Sequence, residues 1–430
     1  MRALGRLSPL WPMALSFACG TSSTQPHGDP PDGNADAGAH VARADAGDAG
    51  MRSPHHDGGS PHVDGGAPDH AADSAIAEGG MDVKSSSTDG GDRFGLLASG
   101  MRDRNVWPFA SDSIWNMPIG SGATLLAAGI TYAGSTIAYQ DPEIIVMDPT
   151  GPLTDLDYSS VGWSGGDRCP ATAPTNVLDQ LPMPASFLVP SSTFNACAAL
   201  LRADGHTVAQ SNAFAHCTQG GAATCDTNAF PDQDIYGAGI SGSHGGSQLS
   251  ALGGTIRLGE FASGRIHHAM KLSVWAAQYY YCPSSPCRPI WPAATVDSYA
   301  TPQTYGGTNP HLTEGALLAL PTSFDLSTVT TAPGKILALG LIDYGVYLVD
   351  DTSSDSWVLE TEQGPAGDVP TEFETLYGYS IGTFAAPAGA AFMADMVKLY
   401  EALEIVTNNT STSIGGGGTP RVPLAPAIGN

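Results

Sequence analysis

From Phe94 onward the 430-residue chain predicts a mainly β domain, of sandwich or jelly-roll type with a few peripheral helices. Three observations carry that expectation. Short apolar runs are cut at close intervals by Gly, Pro, Asn and Asp, the texture of strands joined by turns. The stretch Arg265–Ala276 alternates with period two, Ile266, His268, Met270, Leu272, Val274 and Ala276 facing one way and Arg265, His267, Ala269, Lys271, Ser273 and Trp275 the other. Helical periodicity is confined to a few windows, so an α+β arrangement is the fallback.

Taken in order, the chain opens on Met1–Cys19, where Arg2 and Arg6 precede an apolar run broken by Pro9 and Pro12. That run is too short to span a bilayer and reads as a secretory signal core. The junction Leu15-Ser16-Phe17-Ala18-Cys19 resembles a lipoprotein processing site with Cys19 as the acylated residue. Ser16 and Phe17 stand where such sites carry leucine and a small residue, so ordinary secretion stays open. Residues 20–93 are rich in Asp, Gly, Ala and Pro and hold 13 acidic and 4 basic residues. So few large apolar side chains cannot offset chain entropy, and the segment is expected to be an extended, solvated tether whose six histidines are spacers.

Residues 94–430 form the expected single globular domain. Ile144–Met147 before Asp148-Pro149 reads as a short buried strand and a turn. Asp204-Gly205 between Cys197–Ala203 and His206–Val208 reads as a hairpin. A helix over Pro333–Ile342 is expected to lead into a strand over Gly345–Asp350, with a further helix over Phe392–Leu403. Net charge is −25, and both tether and domain are acidic, which argues against nucleic acid and against adsorption to anionic lipid. Membrane contact is therefore expected through a lipid anchor only.

Seven cysteines are an odd number, and setting Cys19 aside leaves six that can pair. As local couples these are Cys169 with Cys197, Cys217 with Cys225, and Cys282 with Cys287, in keeping with export to an oxidising compartment.

The sequence carries no nucleophile elbow, phosphate loop or His-Glu-x-x-His helix. What stands out is Ser243–Glu260 continuing to Arg265–Lys271. The domain has only 11 Lys and Arg, yet Arg257, Arg265 and Lys271 fall within fifteen residues, close to His244, His267 and His268. A Gly-Gly loop admits a ligand to backbone amides, an imidazole exchanges a proton near neutrality, a carboxylate orients it, and arginine grips an anionic group. His244, His268, Glu260 and Asp343 are thus the expected catalytic residues, with Arg257, Arg265, Lys271 and Trp275 in substrate binding. The competing structural reading pairs Glu260 with Arg257 or Arg265 and makes His268 a satisfied core histidine. Asp343 and Tyr347 are expected on one strand face with Asp350 and Asp351 at its end: Glu260 with Asp343 or Asp350 would supply the two carboxylates of glycoside hydrolysis, while a structural Ca2+ held by hard oxygen ligands accounts for Asp350 and Asp351 as well. No other cofactor is expected.

Asp112–Asn116, His244–Lys271, Trp291-Pro292-Ala293, Gly315–Pro321, Asp343-Tyr344-Gly345 and Gly415–Arg421 together resemble a family of uncharacterised secreted bacterial proteins. The resemblance implies that residues 94–426 are one unit, and it implies no activity. The functional expectation is an exported polysaccharide-active enzyme, lyase or hydrolase, at the cell surface; the alternative is a non-catalytic glycan- or protein-binding lipoprotein.

Overall fold

The computed structural model describes residues 94–131, 139–164, 166–172, 177–193, 195–381 and 387–429. The expected signal segment, Cys19 and the tether lie outside the described residues. In chain order the strands and helices are β1 (Leu125–Ala127), β2 (Tyr139–Val146), β3 (Leu153–Tyr158), β4 (Val177–Pro182), β5 (Ala198–Leu201), β6 (Thr207–Ser211), β7 (Ala223–Cys225), β8 (Gln233–Asp234) and β9 (Ser241–His244). There follow α1 (Glu260–Ser263), β10 (Met270–Val274), α2 (Ala276–Tyr279), β11 (Leu317–Ala319), α3 (Ala332–Asp343), β12 (Val346–Asp351), β13 (Trp357–Gly364), β14 (Gly367–Asp368), α4 (Val369–Tyr377), α5 (Pro387–Glu401) and β15 (Glu404–Val406).

The fold is mainly β. One sheet runs β1-β15-β11-β12-β10-β13-β2-β5-β6-β8 with β14 beside β13, and a smaller one runs β4-β3-β7. The large sheet is mixed: β10 with β12, β13 with β2 and β2 with β5 are parallel, a pattern an all-antiparallel jelly roll lacks. Parallel neighbours need long crossovers: between β2 and β5 the chain runs through β3 and β4 of the small sheet, and between β10 and β12 through β11 and α3.

Continuous apolar runs serve two cores because successive strand residues face opposite ways. In β12, Val346 and Leu348 join the core that α3 and α5 cover, while Tyr347 and Val349 join the core around Trp115. In β5, Ala199 and Leu201 face that second core, and Ala198 and Leu200 face a third beneath the small sheet. The expected hairpin is present as β5 and β6, with the Asp204 carboxylate accepting from the His206 and Thr207 amides. Both expected helices occur, as α3 and α5. Thr331 caps α3 by accepting from the Gly334 amide, and a proline follows within its first turn.

Two expectations are corrected here. Asp343 ends helix α3 rather than sitting on a strand face with Tyr347, because the helix runs one residue past Ile342 and Gly345 turns the chain with φ of 80°. Of the cysteine couples, Cys282–Cys287 is present as expected, but Cys169 bridges Cys217 instead of Cys197, which leaves Cys197 and Cys225 as buried free thiols. Pairing follows the topology, since Cys197 enters β5 and Cys225 closes β7 within the packed interior. Two disulfides fit an oxidising, extracytoplasmic setting. No helix among the described residues is long and apolar enough to cross a membrane.

Loop length sets the worth of each bridge. Removing Cys169–Cys217, which spans 48 residues, should cost about 4 kcal/mol, and removing Cys282–Cys287, which spans 5, about 2 kcal/mol. Thermal unfolding of the two alanine double variants measures the difference.

Candidate active site

The centre of the large sheet departs from its apolar surroundings. Three adjacent strands place Lys271 and Ser273 (β10), Glu360 (β13), and Asp141 and Glu143 (β2) in the interior, each nearly or wholly excluded from solvent. Their spacing of two along each strand puts them on one face. Lys271 Nζ donates to Glu143 Oε1 at 2.5 Å and to the Ser250 and Ala251 carbonyls at 2.9 and 3.0 Å. His244, ending β9, shares Glu143 Oε1 through Nδ1 at 2.5 Å, and its Nε2 lies 3.7 Å from Glu360 Oε1. Ser273 Oγ donates to Glu360 Oε1 at 3.0 Å, and the Asn195 amide donates to Asp141.

Electrostatics follow from burial and partners. Burial works to raise the Glu143 pKa, but Lys271 and His244 outweigh it and hold the carboxyl below its ordinary range. Burial and the neighbouring Glu143 push Asp141 up to about 7. Burial, then Asp141 and Glu143, push Glu360 well up. Burial also depresses His244 despite Glu143, so the imidazole is held neutral.

Above this layer opens a cavity of about 1050 Å³. Asn195, Cys197, Gly245 and Asp350 connect it to the buried charges, and Trp163 and Tyr299, each about half exposed at 50% and 49%, stand at its edge. At its wall Asp297 and Asp350, with the fully buried Glu314 behind them, bring carboxylate oxygens within 4.8 Å of one another. Tyr305 Oη hydrogen-bonds both Glu314 Oε1 at 2.6 Å and Asp297 Oδ2 at 2.8 Å, its single proton serving one of them, while the Gly246 and Asp351 amides donate to Asp350 Oδ1 at 3.3 and 2.9 Å. Burial raises all three acids, each reinforced by at least one other acid nearby. Asp351 lines the same cavity and accepts from Tyr299 Oη at 3.0 Å.

The His244-Gly245-Gly246 sequence has a steric reason. A Cβ on Gly245 would stand 2.1 Å from Asp350 Oδ2, and one on Gly246 would stand 2.6 Å from Glu314 Oε1. Only glycine lets the backbone pass between these acids. Gly253 and Gly254 have the same relation to the Trp115 ring, at 2.2 and 2.4 Å.

No family model, curated protein or solved structure matches the chain.

The residues expected to form one centre divide among several places. His244 and Lys271 meet in the buried layer beside the cavity. His268 and Glu260 form a separate pair at 3.1 Å, where burial opposes but the Glu260 carboxylate prevails and raises the imidazole pKa. Arg257 joins Glu362 at 2.8 Å and donates to the Val106 and Asn105 carbonyls. Arg265 pairs with Asp343 at 3.2 Å. Trp275 precedes α2 and packs, partly buried, against the larger core. None of His268, Glu260, Arg257, Arg265, Asp343 and Trp275 lines the large cavity. Local geometry explains the split: Lys271 lies on β10, whereas His268 sits in a bend before the strand begins at Met270 and turns to Glu260. Asp141, Glu143, Glu360, Asp297 and Glu314 escaped the sequence reading. Its available signal was the acid pairs at i, i+2 beside apolar strand residues, Asp141 with Glu143 and Glu360 with Glu362.

Proposed function

We propose that the protein is an exported glycan-active enzyme that hydrolyses glycosidic bonds in the large cavity, working at the cell surface through a lipid anchor at Cys19 or as a released protein. The observation that carries this reading is the convergence of Asp297 and Asp350 with the buried Glu314 behind them, all with raised pKa, at the wall of a cavity edged by the exposed rings of Trp163 and Tyr299.

Glycoside hydrolysis requires a carboxyl that keeps its proton near neutrality to protonate the leaving oxygen, and a second carboxyl that activates water or attacks carbon. The three acids lie too close together to ionise freely, so the group is a proton reservoir; Asp297 and Asp350 line the cavity, and Asp350 is the one set against Gly245. Asp351, held by Tyr299, is the second carboxyl. Aromatic faces at the rim suit the apolar faces of sugar rings.

Charge selects between hydrolysis and elimination. A lyase for uronate sugars must neutralise a substrate carboxylate, yet Asp167, Asp297, Asp350 and Asp351 line this cavity and Arg168 is its one cationic side chain among the described residues. Two donors of that guanidinium already serve the Gly162 and Thr193 carbonyls. Neutral or amino-sugar polysaccharides are the matching substrates.

The test is incubation of the purified full-length protein with neutral, amino-sugar and uronate polysaccharides, with released reducing ends quantified. Products from the first two classes, undiminished in Glu260→Ala, are expected. Retention of glycans on an affinity array with no product from any class would instead favour the binding-protein reading.

A further inference from the structure

Strained backbone collects around the large cavity. Of the six non-glycine residues at positive φ among the described residues, Asn195, Gln248 and Ser353 line it and Ala196 adjoins it. Asn195 and Ala196, at φ of 34° and 54°, are the one consecutive pair. L-residues avoid this region because Cβ crowds the backbone; asparagine tolerates it singly, whereas alanine has no polar side chain to offset it. Such conformations persist only where the surroundings over-determine them, and they gather at ligand clamps.

Separate parts of the chain hold this pair. Arg168 Nη1 donates to the Thr193 carbonyl at 2.9 Å, the Phe214 amide to the Ala196 carbonyl at 3.0 Å, and the Ile144 amide to the Cys197 carbonyl at 2.8 Å where β5 begins. From the buried layer below, Asp141 accepts from the Asn195 side chain. Glycine at 195 would adopt the same backbone without strain, so the side chain is what the strain secures.

We propose that Asn195 is a substrate-binding residue whose side-chain amide engages a pair of adjacent hydroxyls on a neutral sugar unit at the cavity floor. The assignment rests on the glycan reading of the cavity and names a subsite within it. After the bond to Asp141, the amide retains one N–H and its carbonyl oxygen, a donor beside an acceptor. Two neighbouring hydroxyls present the matching acceptor and donor, whereas a carboxylate or an ammonium matches only half. The exposed rings of Trp163 and Tyr299 then meet a sugar's apolar face while Asn195 meets its hydroxyl edge.

The test is calorimetric titration of the full-length protein with neutral cello-, manno- and xylo-oligosaccharides and with amino-sugar oligosaccharides, on an Asp350→Asn background wherever the ligand is cleaved. Asn195→Gly should bind the tightest neutral ligand about 10-fold more weakly, the worth of one or two hydrogen bonds. The same fold-loss is expected when Asp141→Asn is already present, since position 195 then has no buried charge to serve. Unchanged affinity in Asn195→Gly, or a loss that vanishes beside Asp141→Asn, overturns the assignment. Hydrogen exchange on the unsubstituted chain needs no variant to fold: residues 195–197 should gain protection under saturating neutral ligand, and unchanged exchange with ligand bound also overturns it. A wild type that binds amino-sugar oligosaccharides and no neutral one removes this subsite alone, whereas one that binds no glycan removes the glycan reading with it.

Discussion

Replacing Lys271 by methionine should cost about 3–5 kcal/mol, the range seen when one partner of a buried ion pair is removed. Methionine keeps the length and apolar stem but deletes an ammonium wholly shielded from solvent. Glu143 would retain His244 alone, and the Ser250 and Ala251 carbonyls would lose their donor. The loss is large against a total stability of about 5–15 kcal/mol. Urea unfolding in the presence of chelator, which holds any bound ion out of the comparison, gives the number. The double variant Lys271→Met/Glu143→Gln should be more stable than the single one, because the abandoned carboxylate is what costs most. A single-variant loss under about 1 kcal/mol would show that the pair is not the keystone of the layer.

That layer also explains how far the sequence reading reaches. The hairpin at Asp204-Gly205, the α3–β12 unit and helix α5 are legible because local periodicity and turn chemistry decide them. The parallel neighbours β10, β13 and β2 are not, since their order depends on crossovers that no local window encodes. Lys271 and Glu143 are 128 residues apart and meet only through that order. Scarcity of cations correctly drew notice to residues 257–271, but proximity in sequence misled. Glu260–His268, Arg257–Glu362 and Arg265–Asp343 each find a nearby acid, while only Lys271 of that group turns toward the centre. The cysteines teach the same lesson. Local couples are natural guesses for short loops, yet Cys197 and Cys225 belong to strand positions whose neighbours are core residues.

Asp350→Asn should lower kcat on any polysaccharide found to be cleaved by about 100–10,000-fold, the contribution of a positioned proton donor. KM should change little, because the amide keeps the shape and the hydrogen bonds from the Gly246 and Asp351 amides. The pH profile carries the sharper information. With Asp297, Glu314 and Asp350 all raised by burial and by acidic neighbours, the group keeps a proton above the ordinary carboxyl range and loses it as pH climbs further. Wild-type activity should therefore fall on the alkaline side, and the variant's residual rate should lack that limb. Stability has the same sign. A carboxyl whose folded pKa lies above its unfolded value of about 4 favours the folded state most at low pH, and that advantage disappears as pH rises through the folded value. The unfolding midpoint should decline toward neutral pH in the wild type and decline less in Asp350→Asn, since asparagine removes one of three like charges. A rate that is flat with pH but rises with added calcium would reassign the three acids to a cation and end the proton-donor role. The stability limb needs no substrate: an unfolding midpoint that declines no more in the wild type than in Asp350→Asn would show that burial does not hold a proton on this triad.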